Sequence, residues 1–187
     1  MKILFTSDTH FDHDNIIKYC NRPFSSVEEM NETLIENWNK TVSYRDTIYH
    51  LGDFIWRPED DSILKALNGT IIFIKGNHDR RKSYPRNIKW HDRLEIKIQG
   101  YKIVLDHYPL RSWNGSFHGS WHLYGHCHGT LPEDNGFSCD VGVDVWDYKP
   151  VQFEVIKEKF LSKPHPVKNF DPKQNLKWLR EHNRSFL

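Results

Sequence analysis

Cysteine is scarce in this chain, with three among 187 residues, at positions 20, 127 and 139. An odd count without paired spacing excludes a disulfide framework. Long apolar runs are missing too. Ile3-Leu4-Phe5 gives way at once to Thr6-Ser7-Asp8, too short a run for a signal peptide or a membrane span. Nor is there a surplus of either charge: 26 Lys plus Arg stand against 25 Asp plus Glu, for a formal net charge of +1. A dedicated binder of long duplex nucleic acid carries a basic excess, so that partner is not expected. Internal repeats and low-complexity segments are also lacking. What remains is a reduced, cytoplasmic protein with no membrane contact. The length suits one well-buried core better than two. We expect a single domain over 1–187, with the Pro- and Lys-rich stretch 164–187 as a C-terminal appendage.

What the chain does have is histidine, twelve in all. Several fall in five short polar clusters: Asp8-Thr9-His10, Gly52-Asp53, Gly76-Asn77-His78-Asp79, His107 and Gly125-His126-Cys127-His128. Any one of them alone is an ordinary polar turn. Together they supply donors enough for two adjacent metal ions. Two metals about 3.5–4 Å apart clamp the attacking and leaving oxygens of an in-line displacement at phosphorus. Carboxylate, imidazole and amide donors suit borderline divalent ions, with Mn²⁺ placed first and Fe²⁺ or Zn²⁺ as alternatives. Residues two apart on an extended segment share a face, which would aim Asp8 with His10 and His126 with His128. The same alternation turns Cys127 away, as a buried structural thiol.

The surrounding pattern explains how the clusters would meet. Ile3 to Thr6, residues 47–51, 71–75 and 121–124 read as apolar strands, each ending at one of the clusters. Leu94 to Ile98 and Tyr101 to Leu105, joined by Gln99-Gly100, read as a hairpin ending at Asp106-His107. Ser26 followed by Glu29 predicts a capped helix to about Lys40, with Val27, Met30, Leu34 and Trp38 facing inward. A short helix is expected after Pro58, and closing strands over 141–144 and 151–155. Ligands at the carboxyl ends of neighbouring strands converge on one crevice.

These residues resemble the calcineurin-like metallophosphoesterase superfamily over about residues 1–128. Asp8-x-His10 followed by Asn15-Ile16-Ile17 and Arg22-Pro23-Phe24 is similar to a small bacterial and phage branch of it. The resemblance implies an α/β fold, a four-layer αββα sandwich with two mixed β-sheets. It implies that Asp8, His10 and His128 bind one metal, that Asn77, His107 and His126 bind the other, and that Asp53 bridges. A metal-bridging water would attack phosphorus, His78 would protonate the leaving oxygen, and Asp79 would orient His78. Departures exclude two branches. Phe54-Ile55-Trp56 replaces the Arg-Gly signature of protein serine/threonine phosphatases. Trp56 also stands where purple acid phosphatases place a tyrosine ligand.

Substrate contacts are expected from His13, Asn15 and Arg22 after the first cluster, from Arg80 after the third, and from Arg111 after His107. Loop bracing explains Asn15 and Arg22 equally well. Trp113 reads as core rather than as a stacking platform. The expected substrate is a small nucleotide-type phosphodiester, since an intact His78 helps poor leaving groups most. A phosphomonoesterase is the alternative, and a non-catalytic metal-bearing scaffold for a protein partner is the alternative outside enzymes. Trp146, Tyr148 and Trp178 leave an oligomer face open.

Overall fold

The computed structural model describes residues 1–56, 61–79, 88–132 and 136–163. Pro58, Arg80 and the appendage over 164–187, Trp178 included, lie outside the described residues. Among the described residues, nine strands form two mixed sheets. In the first, β1 (Ile3–Thr6), β2 (Thr47–His50), β3 (Thr70–Ile74) and β4 (Trp90–His91) run parallel, and β9 (Val151–Gln152) pairs antiparallel with β1, giving the order β4-β3-β2-β1-β9. In the second, β5 (Arg93–Ile98) and β6 (Tyr101–Asp106) form the expected hairpin. Then β7 (Trp121–Tyr124) and β8 (Ser138–Asp140) add in parallel, in the order β5-β6-β7-β8. This is the αββα sandwich, with helices α1 (Asp14–Tyr19), α2 (Val27–Thr41) and α3 (Ser62–Ala66) beside the first sheet.

Strand alternation builds two cores. Phe5, Leu51 and Ile74 face Ile103, Leu105, Trp121 and Leu123 of the second sheet. Their neighbours Leu4, Ile48 and Phe73 face Met30, Leu34 and Trp38 of α2. That helix stripe follows i, i+4, i+8 spacing, the period of one helical face. Burying each such side chain contributes about 1.5–3 kcal/mol. Ser26 caps α2 by accepting from Glu29 N at 3.2 Å. The return bond is displaced by one residue, because Glu29 Oε2 accepts from Ser25 N at 2.7 Å. On the outer side of the second sheet, a loop carrying a 3-10 turn at Ser116–His118 lays Trp113 over His122, with ring centroids 5.2 Å apart. Trp113 is core, as expected, and donates from Nε1 to Ser120 O.

Two expectations need correction. The strand over 151–155 stops at Gln152 and becomes α4 (Phe153–Ser162). Phe153, Ile156 and Phe160 are buried while Val155 is exposed, so the helical period overrode the local alternation. Of 141–144 only Gly142 pairs, in an isolated bridge to Ser7; the strand in that region is β8, just before it. The run Asn15-Ile16-Ile17 lies on a helix, α1 (Asp14–Tyr19). Among the described residues no helix is long and apolar enough to cross a membrane.

Register decides where the loops emerge. Thr6 lies opposite His50, and His50 opposite Phe73, so β1, β2 and β3 end level. Backbone bonds extend the ladder into the loops, from Asp8 N to Gly52 O at 3.0 Å and from His10 N to Asp53 O at 3.0 Å. In the second sheet Gly125 N donates to His107 O, and across the gap between sheets Val143 N donates to Ser7 O. Backbone bonds thus join the first cluster to the second and the fourth to the fifth, while side chains tie in the third, with Asp79 accepting from Asp53 N and Asp53 from His78 N.

Candidate metal centre

The ligand-type residues occupy unusual backbone. Asp8, His10, Asp53, His126 and His128 all have positive φ, from 48° to 70°. Asp and His tolerate the left-handed region better than most residues. The shared-face expectation for Asp8/His10 and His126/His128 is thus corrected: the chain turns rather than extends, and the turns bring the donors inward. Cys127 follows suit. It is half-buried rather than buried, within a turn in which Asp140 accepts from Gly129 N at 3.0 Å, and burial pushes its thiol up to about 11.

One group of donors comprises Asp8, His10 and His128, whose ligand atoms lie within 4.8 Å of one another. Asp8 is held by His126 N, which donates to Oδ2 at 2.9 Å. Burial pushes the Asp8 carboxyl up to about 7, outweighing the His107 and His128 charges that pull it down. Burial also drives the His10 imidazole well below its usual range. His128 Nδ1 lies 2.7 Å from Asp144 Oδ2. Burial opposes protonation of His128, but the Asp144 and Cys20 hydrogen bonds outweigh it and raise its pKa to about 10.

The second group comprises Asp53, His107 and His126, again within 4.8 Å. Asn77 joins it through Oδ1, 2.9 Å from His107 Nε2. His107 Nδ1 faces Leu51 O at 2.7 Å, the partner that orients a ligating imidazole so that Nε2 points to the site. Gly52 makes this approach possible: at φ +99°, a Cβ there would stand 2.6 Å from both Gly76 N and His107 Nδ1. Burial pulls the His107 pKa down, yet its bond to Asp53 and the charge of Asp8 raise it to about 9.

Asp53 Oδ2 lies near both groups, 3.7 Å from His10 Nε2 and 3.5 Å from His107 Nε2, and 3.9 Å from His78 Nε2. Burial would raise its pKa, but the His107 bond and the surrounding imidazoles hold it at about 2. Its other oxygen accepts from His78 N at 2.8 Å. Asp79 accepts from Asp53 N and Gly76 N at 2.8 Å and from Phe54 N at 3.0 Å, clamping the second and third clusters together.

Of the expected substrate contacts, His13 reaches the site wall. It is buried, 3.2 Å from His10 Nδ1, and stacked on Trp56 with ring centroids 4.1 Å apart. Arg22 does not face substrate. Its guanidinium is buried and grips both oxygens of Asp144 at 2.8 Å, Asp8 O at 2.7 Å and Thr9 O at 3.0 Å. Five N–H groups with five acceptors, Met30 Sδ being the last, make it a brace. Asn15 is exposed on α1, and Arg111 is exposed on the loop after His107. Trp146 and Tyr148 are half-buried, one donating to Asp140 O and the other packed on Phe24.

Sequence reasoning missed Asp144, which links His128 to Arg22, and Trp56, which walls His13 and His78. A carboxylate ending the run Val141-Gly142-Val143 was the available signal for Asp144. Nothing in the sequence marked Trp56 beyond its place three residues after Asp53.

The residues fit a divalent metal on physical grounds. Asp8 Oδ1 and His10 Nε2 are buried polar atoms with no hydrogen-bond partner among the described residues. Such atoms are costly unless something occupies the space they face. A mixed carboxylate and imidazole set suits a borderline cation.

Comparison with known proteins agrees. An uncharacterized protein of Methanocaldococcus jannaschii is 44% identical over 166 residues, covering 83% of this chain and 89% of that one. Among solved structures, a protein of unknown function from Aquifex aeolicus is 28% identical with a TM-score of 0.64, covering 84% of this chain and 98% of that one. The family model for calcineurin-like phosphoesterases, metal-dependent phosphoester hydrolases, matches residues 1–186, and the chain belongs to that family.

Proposed function

We propose that this chain is a phosphodiesterase that holds two divalent metals, Mn²⁺ first, and hydrolyses small nucleotide-type diesters with His78 as the leaving-group acid. The observation that carries the reading is the place of His78. Its Nε2 stands 3.9 Å from Asp53 Oδ2, the oxygen that His10 and His107 also approach, and its side chain is 40% exposed. The acid therefore stands beside the carboxylate on which both donor groups converge, yet is open to substrate.

Asp8, His10 and His128 would hold one metal, and Asn77, His107 and His126 the other, with Asp53 between. When bound, the metals would supply a water of lowered pKa and neutralise charge on the phosphoryl oxygens. The chain's own residues do the rest. The bond from His78 N to Asp53 Oδ1 fixes the backbone that carries the imidazole. Asp79 fixes the loops beneath it. An imidazolium so placed donates a proton to a departing alkoxide, which matters most for poor leaving groups. The three cysteines form no disulfide, and a cytoplasmic location belongs to this reading.

The test compares bis-p-nitrophenyl phosphate, p-nitrophenyl phosphate and a dinucleoside monophosphate such as thymidylyl-thymidine, with Mn²⁺ and after chelation. Metal-dependent diester turnover is expected. The His78→Ala variant should lose about 10²–10⁴-fold on the alkyl leaving group and far less on nitrophenolate, which departs unprotonated. Preference for the monoester would establish the phosphomonoesterase instead. Bound metal without hydrolysis of any ester would point to the scaffold.

A further inference from the structure

His128 belongs to two groups of metal-type donors. One is the set it forms with Asp8 and His10. The other joins it to Cys20 and Asp144, whose ligand atoms likewise lie within 4.8 Å of one another. Three separate segments supply this second set: Cys20 at the C-cap of α1, His128 in the turn after β7 and Asp144 in the turn after β8. His128 Nδ1 faces Asp144 Oδ2 at 2.7 Å, and the Cys20 side chain hydrogen-bonds His128 as well. The thiol is half-buried and outside any disulfide, so solvent reaches it.

These donors can close on a small cation. Around tetrahedral Zn²⁺, with bonds of about 2.0–2.3 Å, neighbouring ligand atoms stand about 3.3–3.6 Å apart. The His128–Asp144 pair would open by less than about 1 Å, and Cys20 turns toward it on its single side-chain torsion. Water completes the fourth position. Thiolate and Asp144 balance the two charges of the cation, while Arg22 continues to hold Asp144. Thiolate, imidazole and a single carboxylate oxygen select Zn²⁺ or Cd²⁺ over Mn²⁺, which prefers oxygen. A neutral imidazole has one lone pair to give. As the cation binds, the thiol gives its proton to water, the Nδ1 proton gives way and Nε2 takes one up. His128 is then lost to Asp8 and His10.

We propose that Cys20, Asp144 and His128 form a further cation site, for thiophilic Zn²⁺ or Cd²⁺, and that filling it withdraws His128 from the Asp8 and His10 group. The thiophilic cation thereby competes with the metal of that group rather than adding to it. The withdrawal rests on the ligand assignment of the proposed function, whereas the site itself does not.

The full chain, loaded with Mn²⁺ and then titrated with Cd²⁺, tests this, because a cadmium–thiolate bond gives an ultraviolet charge-transfer band. A band saturating at about one Cd²⁺ per chain is expected. Cys20→Ser should abolish it, while Cys127→Ser should keep it. Asp144→Asn, which leaves an amide oxygen for Arg22, should need about tenfold more Cd²⁺ for half-saturation. Dialysis at the saturating Cd²⁺ should lower bound Mn²⁺ in the parent protein by about one per chain, and far less in Cys20→Ser. No band, a band that survives Cys20→Ser, or one that vanishes with Cys127→Ser would overturn the site. Indifference to Asp144→Asn would overturn it as well, leaving a lone thiol. Equal Mn²⁺ loss from the parent protein and Cys20→Ser would overturn the withdrawal of His128. None of these readouts uses ester hydrolysis, so failure of the phosphodiesterase reading would show separately, as absent turnover.

Discussion

His10 Nδ1 and His13 Nδ1 face each other across 3.2 Å in the buried wall of the site. Only one of the two nitrogens can carry the proton between them. If His10 is to present the Nε2 lone pair to a cation, its Nδ1 must donate and His13 Nδ1 must accept. Such outer partners fix the tautomer and angle of a ligating imidazole, and losing one typically costs 10–100-fold in metal affinity. The Trp56 stack, at an interplanar angle of 6°, holds His13 in place.

His13→Asn keeps an acceptor oxygen near the position of Nδ1, whereas His13→Leu fills the space without one. Mn²⁺ titration followed by calorimetry should show near-native affinity for the Asn variant and an affinity about 10–100-fold weaker for the Leu variant. Metal-free melting temperatures should stay alike in the two. Equal metal affinity in both variants would sink the acceptor role.

Arg22 and Asp144 form a buried, bidentate pair that also reaches His128 through Asp144 Oδ2. Removing the guanidinium leaves Asp144 buried with His128 as its one remaining charged partner, and breaking such a buried pair costs about 3–5 kcal/mol. Arg22→Met should lower the unfolding free energy by that order in urea denaturation. Arg22→Lys should fall between, because a lysine cannot reproduce the planar fork. A Met variant within 1 kcal/mol of the parent protein would show that the pair adds little.

Much of this arrangement was legible in the sequence. Apolar runs ending at Asp8, Asp53, Asn77, His107 and His126 marked strands that bring these candidate ligands together, because level strand ends set their loops side by side. Backbone direction was not legible. The left-handed turns at Asp8, His10, His126 and His128 arise from tertiary stitching, such as His10 N to Asp53 O, which no local pattern announces. Arg22 read equally as a substrate contact and as a brace, because its partner, Asp144, lies 122 residues away. Phe153 to Phe160 fits a short strand or a helix equally over its first five positions, and only the later Phe160 tips it to the helical period.

Gly52 is a sterically exacting position. Gly52→Ala would put a methyl carbon 2.6 Å from Gly76 N and His107 Nδ1, at a φ of +99° that disfavours any side chain. The His107 ring would have to move, and with it the second donor group. Metal per chain, measured after dialysis against Mn²⁺, should drop from about two toward one, with diesterase activity lost. Full metal content in this variant would mean that His107 is not a ligand.

His50 gives the metal-free protein a built-in acid sensitivity. It is fully buried against Phe54, Phe73 and Trp38, with Nε2 3.0 Å from Thr9 Oγ1 and Nδ1 without a hydrogen-bond partner among the described residues. Thr9 already donates to Phe54 O, so it accepts from His50, leaving Nδ1 bare in an apolar cage. Burial lowers the His50 pKa from 6.5 to about 3. Between those values the unfolded chain binds a proton that the folded chain refuses, so stability is full above about pH 6.5 and falls as the pH drops toward 3, by up to about 1.4 kcal/mol per unit. His50→Phe should lose about 1 kcal/mol at neutral pH with the Thr9 bond. Urea denaturation of both metal-free proteins from pH 7 to pH 4 should give a shallower decline for the variant, so that the two curves converge or cross on the acid side. Parallel curves over that range would show that His50 titrates alike in the folded and unfolded chains.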